Sequence, residues 1–551
     1  MTISDDLLFK KIFEETIDLI FQYKPALGAY MGKEGYEKKV AIGTPANYLE
    51  FITKLSELLD RVNKIDEDQL SPKTRRSFHV LKDTLVLFFF FHEEFPIWNR
   101  HPFGLEDIQQ TIFVVLQRKG PIKSVAETII AQLEQLPQFL EEFRSRFGGS
   151  PIPKVWQETS YEMIQSSPQF LDYLEMIFQL SIDEPLKNTL VNTIEKAKTA
   201  IKLHTSWLQT LRVDEDEFAW ALGQKNFDTL LSLRKLPWDR KKISQTGYDL
   251  LDSLTKQAYE IAKQIDPTKT FDGVVDEINA HHPLRFEMVL EHAGNEANRA
   301  KEFIITHDLA SIPASEKLVI AETPTYLAPL IPIAMYGPTP FYAPDQPGIY
   351  YITRPSSESN LKQFGFHSYY SLPNVMAHET YPGHHLDLCW NQNVGSPLSL
   401  ITLLLSTLGA ETAEGWAHYC EEMMLEQGFH DEIDTEKVKL TILLGQLWRA
   451  VRIIVDVELH CKQRTIDDAI QLLVDRAKID IQTARAEVRR YTTAPGYQLS
   501  YLIGKLLIQD IRHEVKIKQG DQFKLKNFHD IILKSDDLPY YLLKELFDIQ
   551  S

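Results

Sequence analysis

The stretch SPKTRRSFHVLKDTLVLFFFF, Ser71 to Phe91, reads as a helix. Ser71 stands where a capping residue belongs, and Pro72 suits the first turn because it has no N–H to leave unpaired. Apolar side chains then recur at three- and four-residue spacings with charges between them. The run Leu85 to Phe91 is seven residues long, against the ~20 that a bilayer-spanning helix needs. It therefore predicts a buried core helix. The same periodicity predicts helices over Asp5–Tyr23, Pro45–Ile65, Ser124–Phe147 and Glu184–Leu211. Asp183-Glu184-Pro185 repeats the start signal with acids, Pro137 is expected to kink or split its helix, and Gly148-Gly149 is a stop.

Outward from these helices the texture changes once. Between Pro313 and Pro355 there are nine prolines, interleaved with Tyr326, Tyr336, Tyr342, Tyr350 and Tyr351. Proline at that density forbids a long helix or a central strand. Short extended segments are expected at Lys317–Ala321 and Gly348–Thr353, with Tyr351 facing substrate. Helix resumes near Pro373. The expected fold is mainly α: a large multi-helix body with a deep cleft and a small β or irregular segment near residues 315–355. The chain is expected to divide into an N-terminal helical region, residues 1–212, and a catalytic helical region, residues 213–551.

The 551 residues carry a formal charge of −18, with 44% hydrophobic and 25% charged residues. This composition excludes a disordered chain and a multi-span membrane protein. The acidic balance argues against a nucleic-acid partner, which needs a basic footprint. Three cysteines, Cys389, Cys420 and Cys461, make no disulfide framework and fit a reducing compartment. The N-terminal residues Met1 to Asp6 carry acids where a secretory signal carries bases. The expectation is a cytoplasmic protein with no membrane partner. The sequence does not indicate an oligomeric state.

Three histidines and a glutamate fall within eight residues at His378-Glu379-Thr380-Tyr381-Pro382-Gly383-His384-His385, in a chain with 17 histidines. Imidazole is a common zinc ligand, and a neighbouring carboxylate can serve as general base. In an H-E-x-x-H helix the two histidines share a face. Here position i+4 is Pro382. An i, i+7 pair on a straight helix lies about 10.5 Å apart along the axis, too far for one zinc. Pro-Gly could bulge residues out of the helix and bring His384 or His385 back to His378. Excising Pro-Gly leaves H-E-x-x-H intact with His384, and His385 remains an alternative. Downstream, Glu411, Glu414 and His418 sit at i, i+3 and i+7 of a helix expected to begin at Ser396-Pro397. Glu414 is the first candidate for a third ligand and Glu411 the second. Arg452, Asp456 and His460 follow at four-residue steps, either as a buried ladder or with Arg452 or His460 facing substrate. Tyr491, Tyr497 and Tyr501 flank a Pro-Gly break and could reach a developing oxyanion or the substrate. Cys389, four residues after His385, is read as a core residue.

These motifs resemble the bacterial Domain of Unknown Function 885 family. The resemblance rests on H-E-T-Y-P-G-H-H at His378 to His385, E-G-W-A-H-Y at Glu414 to Tyr419 and D-V-E-L-H at Asp456 to His460. R-Y-x-x-x-P-G at Arg490 to Gly496 and S-Y-L-I-G at Ser500 to Gly504 complete it. The family is similar to gluzincin-type zinc metallopeptidases with a helical body like neurolysin. That resemblance implies Glu379 as general base, Zn2+ held by His378, one of His384 and His385, and Glu414, and a peptide substrate. A small amide substrate, and a catalytically silent binding protein on the same scaffold, are the rival expectations.

Overall fold

A computed structural model describes residues 4–117, 120–179, 181–323, 333–355, 367–397, 401–402 and 405–549. The architecture is mainly α-helical with a few short strands. Ser71 takes extended backbone ahead of the helix Pro72–Glu94, but its hydroxyl meets Thr74 Oγ1 at 2.9 Å instead of capping an N–H. Leu85, Leu87, Phe88 and Phe90 are buried in that helix. No helix among the described residues is long and apolar enough to cross a membrane. The neighbouring helices run Asp5–Tyr23, Pro45–Val62, Ile122–Arg144 and Glu184–Leu208. The last starts where Asp183 Oδ1 accepts from the Leu186 N–H at 3.1 Å. Pro137 does not split Ile122–Arg144, which continues through it as one helix.

The fold divides into two compact units. One holds the chain up to Trp220 and the stretch Pro340–Gln346; the other holds the rest of the described chain from Ala221 on. In the first unit, Ile129, Leu133, Leu140, Leu174, Ile194 and Leu208 belong to one continuous buried cluster. Tyr342 joins this unit through its N–H, which donates to the Met31 carbonyl at 2.8 Å.

The second unit carries the sheet. Leu318–Glu322 pairs in parallel with Gly348–Ile352, which pairs antiparallel with Ala334–Gly337. The outer two flank Gly348–Ile352, and Ala334–Gly337 was not expected from the sequence. Alternation along the central strand sends Tyr350 and Ile352 into a core with Phe286, Val289, Leu372 and Met376. Tyr351 points to the opposite face and is itself buried. Tyr326 lies outside the described residues, as does part of the expected helix from Ser396. The helix that carries Glu411 and Glu414 starts at Ala410, after Gly409 at φ 81°.

Two helix pairs frame this unit. Arg240–Ile265 packs on Thr435–His460, and Ala410–Glu426 packs on Ser500–Gln519. The second pair meets backbone to backbone. A Cβ on Gly504 would stand 2.1 Å from the Glu411 carbonyl oxygen, and one on Gly415 would stand 2.4 Å from the Gly504 carbonyl carbon.

Candidate metal centre

The helix Leu372–Glu379 ends one residue after His378, and Thr380 to Gly383 leave the helical path. The N–H groups of Thr380 and Tyr381 both donate to the Met376 carbonyl, and Gly383 N–H donates to Ala377 O at 3.0 Å. The Tyr381–Pro382 peptide is cis. A new helix, His384–Val394, begins at once. Gly383 permits this return because a Cβ there would lie 1.8 Å from the His378 carbonyl oxygen. His384 thus sits beside His378, with ring centroids 4.9 Å apart and planes at 87°. Trp416 Nε1 donates to the Pro382 carbonyl at 2.9 Å, tying the excursion to the helix Ala410–Glu426.

That helix brings Glu414 to the two histidines. His384 Nε2 and Glu414 Oε2 are 3.5 Å apart, and one donor atom from each of His378, His384 and Glu414 lies within 4.8 Å of the others. Burial alone would lower the His384 pKa; the adjacent Glu414 carboxylate outweighs it and raises the imidazole to about 9. Burial likewise works to raise Glu414, and the His384 bond overrides it, holding the carboxyl at about 2. Tyr497 donates its hydroxyl to Glu414 Oε1 at 2.7 Å. Tyr501 packs edge-on to Tyr497, with centroids 6.0 Å apart. The close Gly415–Gly504 crossing sets this neighbourhood, since Tyr501 lies on the partner helix.

Glu421, two turns beyond Glu414, orients the first histidine. Its Oε1 accepts from His378 Nδ1 at 2.8 Å and from His418 Nδ1 at 3.2 Å, and its Oε2 accepts from Asn374 Nδ2 at 3.0 Å. Arg449 Nη2 lies 3.1 Å from Glu421. Burial opposes this charge, but the Arg449 guanidinium and the two histidines hold the carboxyl well below its usual range. With Nδ1 committed to a carboxylate, His378 presents Nε2, the pairing that fixes imidazole ligands in metal sites. Glu421 was not singled out from the sequence, although it lies on the same helical face as Glu414 and His418. Glu379 is half-buried beside the triad, and its carboxylate makes no hydrogen bond among the described residues. Its charge acts on both His384 and the Tyr350 hydroxyl. Two imidazoles and a carboxylate, one imidazole backed by a buried acid, form a donor set that fits zinc.

A family model described as "Bacterial protein of unknown function (DUF885)" matches residues 25–546. The chain belongs to that family. No curated protein matches it. A solved structure described as "the putative lipoprotein from Colwellia psychrerythraea" is similar over 99% of both chains, at 18% identity and TM-score 0.82. A second, "a putative lipoprotein of unknown function from Shewanella oneidensis", is similar over 98% of this chain and 99% of its own, at 20% identity and TM-score 0.77. At these identities the likeness concerns the fold. The expectation of a cytoplasmic location is corrected by these descriptions, which name both neighbours as putative lipoproteins and so point away from the cytoplasm. Cysteine count and the first residues were too weak a basis for it.

Other candidate residues in this DUF885 protein lie elsewhere. His385 is directed away from the triad: its Nε2 meets Glu316 Oε1 at 2.9 Å and its Nδ1 meets the Tyr336 hydroxyl at 2.8 Å. Glu316 also takes Tyr381 and Lys301. His385 therefore braces the sheet-side loop, and its one-residue step past His384 turns it to another helix face. Glu411 is occupied by the buried Arg234, 2.8 Å away, which also bonds Gly496 O and Ser500 Oγ. His460 bonds the Tyr491 carbonyl at 3.0 Å and stacks on Phe227. It is buried, which lowers its pKa to about 4. Asp456 accepts from the Gly496 and Gln498 N–H groups at 2.9 Å each. The D-V-E-L-H motif thus anchors the 491–498 turn, and His460 is no oxyanion donor. Tyr491 is buried with its hydroxyl between Arg452 and Glu487. Of the tyrosines, Tyr497 and Tyr501 stand by the triad. Tyr351, buried in the sheet, is not presented to substrate as expected. Cys389, Cys420 and Cys461 are free and buried.

Proposed function

We propose that this protein is a zinc-dependent hydrolase that cleaves amide bonds of short peptides. The observation that supports it is Glu379, an uncommitted half-buried carboxylate one residue from His378, at the edge of a His-His-Glu donor set. His378, His384 and Glu414 would hold the ion. Zinc, when bound, acidifies water to a pKa of about 7 and polarises a carbonyl. Glu379 takes the proton from the attacking water and delivers it to the leaving amine nitrogen. Tyr501 offers a phenolic O–H towards the developing oxyanion, while Tyr497 spends its proton on Glu414 and keeps that ligand charged and in place. The likeness to gluzincin-type enzymes rests on this donor set and its neighbouring base. The two lipoprotein neighbours extend the proposal to a place outside the cytoplasm, where short peptides would be met.

Elemental analysis of purified protein should give one zinc per chain. A panel of short peptides and of amide conjugates should show hydrolysis of peptides that is lost in Glu379→Gln with zinc retained. Turnover of conjugates alone would transfer the reading to a non-peptide amide. A zinc-free protein, or a Glu379→Gln variant as active as its parent, would overturn it.

A further inference from the structure

Beyond Glu414, a second kind of chemistry continues across the same helices. Tyr501 lies under the Arg452 guanidinium, whose carbon stands 4.7 Å from its ring centroid and 4.5 Å from that of Trp448. Arg452 commits Nε to the Tyr491 hydroxyl at 2.9 Å and Nη2 to Glu487 Oε2 at 2.8 Å. Arg490 commits Nε and Nη2 to the same Glu487, at 3.3 and 2.9 Å. One carboxylate therefore answers two guanidiniums, and Nη1 of each makes no hydrogen bond among the described residues. The nearby Arg449 is matched by Glu421, so three arginines face two glutamates. Within this arginine cluster one guanidinium charge is left without a carboxylate of its own, in a chain whose net charge is −18. Arg490 has 43% of its side chain exposed, so an incoming group can reach it. The aromatic faces of Trp448 and Tyr501 displace water from Arg452 and strengthen any charge pairing there.

We propose that Arg452 and Arg490 form a carboxylate-docking subsite, and that the substrates carry a free C-terminal carboxylate. The inference rests on the peptidase reading for its substrate class. A planar guanidinium fork matches a carboxylate through paired N–H donors. Such a subsite at a fixed remove from Glu379 would select short peptides by their C-terminal end, with Tyr501 between the docked terminus and the reacting bond.

The test is calorimetric binding to zinc-loaded Glu379→Gln protein, with an N-acetylated dipeptide free of acidic side chains and its C-terminal amide as probes. The acid should bind at least about tenfold more tightly than the amide, a preference of ~1.4 kcal/mol. Adding Arg490→Ala should reduce the acid to the level of the amide. Adding Glu487→Gln, which releases both guanidiniums, should tighten acid binding, a gain that misfolding does not produce. Equal binding of acid and amide would overturn the subsite. So would an acid preference that survives Arg490→Ala, because the carboxylate would then be bound by the zinc. If the preference depends on Arg490 but the parent protein cleaves no peptide, the subsite stands and the peptidase reading falls.

Discussion

Glu421 Oε1 stands 2.8 Å from His378 Nδ1, inside the protein and two turns along the helix from Glu414. This bond fixes which nitrogen the imidazole offers. Replacing Glu421 by Gln keeps the shape and removes the charge. Metal affinity should fall about 10- to 100-fold, the usual cost of losing such an orienting partner. Competition with a chromophoric chelator reads it directly. Unchanged affinity would mean that Glu421 serves only to neutralise Arg449.

Protons and metal compete for His384. Its pKa is raised from 6.5 to about 9 by Glu414, whose own falls from 4.5 to about 2. In the metal-free protein the raised histidine contributes stability fully below pH 6.5 and loses it as pH rises through 9. The depressed carboxylate contributes above pH 4.5 and loses it as pH falls through 2. Between pH 6.5 and 9, then, each metal bound should expel one proton, and apparent affinity should rise about tenfold per pH unit before levelling above 9. A flat profile over that range would show that the pair is not the binding site.

Gly383→Ala places a methyl group 1.8 Å from the His378 carbonyl oxygen. The loop has to open, and His384 moves from its partner. The expected result is loss of stoichiometric zinc in a protein that keeps its helical circular dichroism. Full zinc occupancy in that variant would show that the ligands do not depend on this turn.

His385→Gln should leave the metal in place. Its ring serves Glu316 and Tyr336, so the substitution should lower the melting temperature by several degrees, equivalent to about 1–3 kcal/mol for unpaired buried groups. Loss of zinc at unaltered stability would instead make His385 a ligand.

Much of this was readable from local chemistry. Asp183 and Pro185 marked a helix start because capping is a contact between near neighbours. Removing Pro382 and Gly383 from the spacing favoured His384 over His385 as the histidine that returns to His378, and the turn brings His384 there. What failed was reading long-range partners from a helical face. Arg452, Asp456 and His460 share a stripe, yet Asp456 and His460 hold the backbone of a turn 31 to 42 residues on, and no periodicity announces that. Glu411 and Glu414 are equivalent in spacing. They are separated by Arg234, which arrives from 177 positions away to occupy Glu411. Tyr351 looked available because it lies in a proline-rich stretch, but it sits in the central strand of a three-stranded sheet and is buried there.

The crossing of Gly415 over Gly504 brings two main chains together with no side chain at the point of closest approach. Glu414 rides on one of these chains and Tyr501 on the other. Their separation is therefore set by peptide dimensions, which do not vary from one sequence to another. Over evolutionary time the surrounding core can exchange leucine for methionine or valine for isoleucine without disturbing the distance between ligand and phenol. A lineage that drifts far in identity can thus retain the working geometry, on condition that two positions never acquire a methyl group.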